Sequence, residues 1–181
     1  MFVENVIENE VYEKLMDYAF KKCDAVMFIF RKDMYSTDLS HNELSILDKK
    51  MTELKDYFKD DILKIRNGPY WAYSKVSTSK KSLTKSQFEK MFEIIFLKTS
   101  EKVKNYLLSN KNMYNWLHPY YPEDLSFFLN GYCWLSAISD EQECFINCEE
   151  NEFYELQEIG LIPIDKKILK MKKEGVYYEK Y

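Results

Sequence analysis

DLSFFLNGYCWLSAISDEQECFINC, residues 124–148, decides how this chain is read: it holds three of the four cysteines, and it builds either a metal or redox site or three β-strands. Asn130-Gly131 between apolar runs signals a hairpin, because both central residues of a tight two-residue turn need φ above zero. Centring the loop there pairs Phe128 with Cys133 and Phe127 with Trp134. A second hairpin centred on Asp140 and Glu141 pairs Cys133 with Cys148, Leu135 with Ile146 and Ala137 with Cys144. Alternation then puts Phe128, Cys133, Leu135, Cys144, Ile146 and Cys148 on one face and Phe127, Trp134, Ile138 and Phe145 on the other.

That register weighs against a metal. Cys144 and Cys148 stand about 13 Å apart along one strand, whereas two thiolates on one zinc have their sulfurs within roughly 4 Å of each other. Cys133 and Cys148 could meet across strands, but no C-x-x-C or H-x₃-H pair supplies further ligands. The cysteines are expected to be reduced core thiols, with no metal and no cofactor.

Outward from this stretch, the rest of the chain supplies helices and further strands. Val3, Ile7, Val11, Leu15 and Ala19 recur every fourth residue and predict a first helix through about Lys22. AVMFIF, residues 25–30, reads as a strand buried on both faces. Ser40 and Glu43 have capping-box spacing, and Leu44, Leu47, Met51, Leu54 and Phe58 follow at helical intervals, so a second helix runs from about His41 to Lys59. DILKI, residues 61–65, reads as a strand before an Asn-Gly-Pro turn, and residues 75–85 as a polar loop. Residues 88–97 fit a helix nearly as well as a strand; the fresh helix start at residues 99–101 favours a strand over 91–98, then a short helix to about Ser109. Asn151 is the expected cap of a last helix, which Gly160 terminates. The fold class that follows is α+β, a mainly antiparallel sheet with a C-terminal three-stranded meander and about four helices packed on it. The whole chain, 1–181, is expected to form one domain, with residues 164–181 as a mobile lysine-rich tail.

Composition narrows the function. Hydrophobic residues make up 46% and charged residues 31%, which suits a globular domain, and no apolar run approaches the length of a membrane helix. The first residues lack signal-peptide order, so a cytoplasmic location is expected, and a lysine- and asparagine-rich composition suggests a bacterial or phage source. Net charge is −4, and of 26 basic residues only Arg31 and Arg66 are arginine, which argues against nucleic acid as the main partner.

Candidate site residues cluster in WLHPYYPED, residues 116–124. Trp116, His118, Tyr120 and Tyr121 combine amphipathic aromatic rings with flanking prolines, the composition of a recognition surface. A nucleophile, base and orienting acid can also be written as Cys133, His118 and Asp124, without a nucleophile-elbow glycine pattern around them. His41 reads as an exposed helix-start residue. No dinucleotide, Walker, zinc-protease or EF-hand motif is present.

YPEDLSFF and GYCWLSAIS, within residues 116–146, resemble a segment of a family of small bacterial cytosolic proteins, some of which carry a stage III sporulation label. The resemblance implies a hairpin and transfers no site residue. Together these observations favour a non-catalytic, cytoplasmic protein-binding module of the immunity, regulatory or anti-defence kind. Its partner is expected to be another protein, with a basic one suited to the acidic run at residues 140–155. An enzyme built around His118, Asp124 and Cys133 is the alternative.

Overall fold

The structure, a computed structural model, describes residues 1–3, 5–32, 40–68 and 92–164. Its elements follow in the order β1 (Phe2–Val3), α1 (Asn9–Lys22), β2 (Ala25–Arg31), α2 (His41–Tyr57), β3 (Ile62–Asn67), β4 (Phe92–Lys98), α3 (Glu101–Leu108), β5 (Glu123–Leu129), β6 (Tyr132–Ile138), β7 (Glu143–Ile146), α4 (Glu150–Ile159) and β8 (Pro163–Ile164). A short 3-10 turn, Met113–Asn115, precedes β5. Eight strands form one sheet in the order β3-β4-β2-β5-β6-β7-β1-β8. Neighbouring strands run antiparallel, so the fold is α+β as expected.

Backbone chemistry explains where the elements begin and end. Ser40 Oγ accepts from the Glu43 amide while Glu43 accepts from the Ser40 amide at 2.7 Å, so both orphan donors at the start of α2 are satisfied. At the start of α3 Ser100 Oγ accepts from the Val103 amide at 3.2 Å, a single cap without a return bond. Asn130 and Gly131 have φ of 52° and 83°, the turn that their sequence asks for. The second turn spans Ser139 to Gln142, closed by the Gln142 amide on the Ser139 carbonyl at 3.3 Å, with Asp140 and Glu141 at its centre. Gly160 ends α4 at φ 107°, where a Cβ would come within 3.1 Å of Val11.

The four helices among the described residues contribute to one core on one face of the sheet. Tyr12, Leu15, Met16 and Ala19 of α1, Leu47 and Leu54 of α2, Val103 and Leu107 of α3 and Leu156 of α4 pack with Val26, Phe28, Ile95, Leu97, Phe127 and Leu135. The opposite sheet face buries a second group that includes Met27, Ile29, Ile94, Phe96, Phe128 and Cys133. β2 is therefore buried on both faces, as its continuous apolar run implies.

Several sequence expectations are corrected. The fourfold stripe from Val3 does not begin a helix: Phe2 and Val3 pair with Phe145 and Cys144 of β7 and with β8, and α1 starts at Asn9. Strand pairing on both sides outweighs helical periodicity over those first residues. Phe127 pairs with Leu135 instead of Trp134, because a bulge at Trp134 places two residues of β6 opposite one step of β5. The bulge moves Cys133 to the opposite face from Leu135, Cys144 and Ile146. β7 stops at Ile146 and the Asn147 amide donates to the Trp134 carbonyl at 2.7 Å, so Cys148 lies beyond the ladder and has no cross-strand Cys133. Glu149, not Asn151, is the N-cap residue of α4. The expected loop at 75–85 and the tail beyond Ile164 lie outside the described residues.

Candidate functional site: an aromatic loop on a charged sheet end

The aromatic segment divides between core and surface. Trp116 is 1% exposed and stacks on Phe28 at 5.9 Å, with Tyr106 beside it at 5.6 Å. Tyr120 is 62% exposed, Tyr121 38% and Leu117 37%. Tyr121 sets its ring edge-on against Trp116 at 5.5 Å, and its amide donates to the Leu117 carbonyl at 3.1 Å. The loop thus stands on a buried indole while showing two tyrosines and a leucine to water. The His118–Pro119 peptide within it is cis.

His118 ties the loop to the end of β2. Its side chain is 3% exposed, Nδ1 lies 2.7 Å from Glu123 Oε1, and Nε2 accepts the Arg31 amide at 3.3 Å. With Nε2 used as an acceptor, the ring proton of the neutral form belongs on Nδ1, facing the carboxylate. Arg31 Nη2 stands 3.3 Å from the other oxygen of Glu123. Burial raises the Glu123 pKa, but His118 and Arg31 outweigh it and hold the carboxyl below its ordinary value.

A second carboxylate is clasped on β4, which flanks β2 on the side opposite β5. Glu93 of β4 is 5% exposed, with Lys55 Nζ 2.6 Å from Oε1 and Lys32 on Oε2. Burial again pushes its pKa up, and the two ammonium groups override that and lower it. Sequence reading missed both carboxylates. A signal was present for Glu93, since FEIIFL carries one acid inside an otherwise apolar strand, and a charge in such a place needs partners.

The residues of the alternative catalytic reading have other partners. Asp124 takes φ 53° at a β5 bulge, and its Oδ1 accepts the Ser139 amide at 3.0 Å. Cys133 donates to the Leu135 carbonyl at 3.3 Å on the opposite sheet face. Burial, with smaller contributions from Cys23 and Cys144, pushes the Cys133 thiol well above its ordinary value. His118 meets Glu123 in place of Asp124. His41 is exposed at the start of α2. Cys144 is pushed up to about 12 by burial, and all four cysteines are free. Among the described residues no group of three or more His, Cys, Asp or Glu is placed to hold a metal, and no helix is long and apolar enough to cross a membrane.

No protein-family model, curated protein or solved structure matches the chain.

Proposed function

We propose that this protein is a non-catalytic, cytoplasmic protein-binding module of the immunity, regulatory or anti-defence kind, and that it meets its partner through the loop carrying Leu117, Tyr120 and Tyr121. The observation that supports this is the split within a single short segment: Trp116 and His118 are buried and engaged, while the tyrosines beside them are exposed. Tyrosine buries a large area at low entropy cost and keeps a polar tip, and a loop anchored at its base loses little freedom on binding.

The test uses a partner purified by affinity from native cells, with binding then measured on the isolated pair. Tyr120→Ala and Tyr121→Ala should each weaken binding by roughly 1–3 kcal/mol and leave the protein folded. Unchanged affinity in both variants would remove the loop from the interface.

A further inference from the structure

From residue 119 to residue 164 the chain carries ten acidic residues and no Lys, Arg or His. Helix α4 gathers this bias onto one ridge. Glu152 and Leu156 are buried, Phe153 and Ile159 pack against the core, and Glu150, Tyr154 and Glu158, four residues apart, point outward. Tyr154 is 58% exposed, on the face of the helix opposite the buried Leu156. Among the described residues Glu150 and Glu158 make no ion pair, although carboxylates elsewhere regularly do, as Glu10 does with Lys14 and Asp17 with Lys104.

A tyrosine face between two carboxylates one helical turn away on each side matches an arginine or lysine side chain. The ring attracts the cation, and the carboxylates pair with it or with its neighbours in sequence. We infer that the outer face of α4 is a docking surface for a basic segment of a protein partner. Charge complementarity identifies the occupant: an unpaired acidic ridge repels nucleic acid and anionic lipid and attracts an Arg- or Lys-rich chain. The inference rests on the protein-binding reading only in taking the partner to be a protein, and it uses a different surface from the tyrosine loop.

The experiment titrates the full-length, ¹⁵N-labelled chain with a short Arg-Gly repeat peptide, following amide shifts and binding heat. Shifts should concentrate on α4. Tyr154→Ala and the double variant Glu150→Gln/Glu158→Gln should each weaken binding on the order of tenfold, while Glu53→Gln on α2, an acid already beside Lys50 at 3.2 Å, should leave it unchanged. Shifts scattered over every acidic surface would overturn the inference, as would an equal effect of Glu53→Gln. Peptide binding that emerges only after residues 166–181 are removed would also overturn it, because the chain's own lysines would then be the occupant. Loss of the loop function in Tyr120→Ala leaves these outcomes unaffected, so the two proposals fail separately.

Discussion

Glu93 and Glu123 at one end of the sheet and the glutamates of α4 meet opposite surroundings. The first two lie inside the protein with cations on both oxygens, or a cation and an imidazole: Lys55 and Lys32 on Glu93, Arg31 and His118 on Glu123. Among the described residues, Asp140, Glu141, Glu149, Glu150 and Glu158 stand in water and make no ion pair; Glu152, the buried acid of α4, pairs with Lys22 at 3.2 Å and accepts the Trp134 indole at 2.7 Å. The difference separates two uses of one residue type. Burial obliges a carboxylate to find partners, since its desolvation is otherwise uncompensated. Exposure imposes no such demand, so a long cation-free stretch is not required by folding and its sign is open to serve recognition.

The largest effect should come from stripping the clasp. Lys32→Met with Lys55→Met keeps the aliphatic stems but strands Glu93 in the interior. Both lysines are about a third exposed, so the cost is set below that of a fully buried pair, at roughly 2–3 kcal/mol. Urea unfolding at neutral pH measures it. The sign with pH follows from the lowered Glu93 pKa. In the native protein this carboxylate contributes stability above its ordinary value of 4.5, and that contribution is lost as pH falls through the lower folded value. In the double variant the stranded carboxylate gains by protonation, so the two proteins should converge in stability in acid. A gap that persists unchanged at low pH would show that the lysines act by packing alone.

His118→Ala should cost less, about 1–2 kcal/mol, because it leaves the Arg31 amide and one Glu123 oxygen without their partner while Arg31 remains paired. Faster hydrogen exchange at the Arg31 amide is the local signature. Unchanged exchange there would mean that the imidazole does not tether the loop. The same variant bears on the catalytic alternative, since removing a general base lowers a rate by on the order of 10² or more.

Much of the fold was legible because its signals are local. The Asn130-Gly131 turn, the Ser40–Glu43 box and the apolar run of β2 each act within a few residues, and each takes the expected form. The failures share a cause of longer range. The Trp134 bulge accompanies an indole that reaches Glu152 on α4 and a carbonyl that receives the Asn147 amide, neither of which alternation along β6 can foresee. Phe2 and Val3 fit a helical stripe by spacing and pair as a strand because β7 and β8 lie on either side. In the site, the exposed tyrosines were readable as amphipathic aromatics. The partner of His118 was not: Glu123 and Asp124 are adjacent, and the φ 53° bulge at Asp124 accompanies the turn of its carboxylate toward Ser139. The clasp on Glu93 of β4 joins Lys32, just past the end of β2, and Lys55 of α2, a meeting that only the folded sheet brings about.

The smallest effect tests the exposed side of the comparison. Glu143 at the start of β7 has its pKa raised, by partial burial first and then by Glu141 in the adjoining turn, and no cation lies among the causes. A raised carboxyl works in the opposite sense to Glu93. The folded state holds the proton more tightly than the unfolded chain, so the group favours folding in acid and disfavours it once pH rises through its folded value. Glu143→Gln should therefore stabilise the protein at neutral pH by about 0.3 kcal/mol, a figure kept low because the side chain is partly solvated and salt-screened. The gain should vanish below the ordinary carboxylate range and shrink at high ionic strength. Glu141→Gln should reproduce part of it by removing the repelling charge. Paired urea titrations at neutral and acid pH, in low and high salt, make the comparison. A destabilised Glu143→Gln at neutral pH would mean that this carboxylate has a favourable partner and that the cation-free surface is compensated after all.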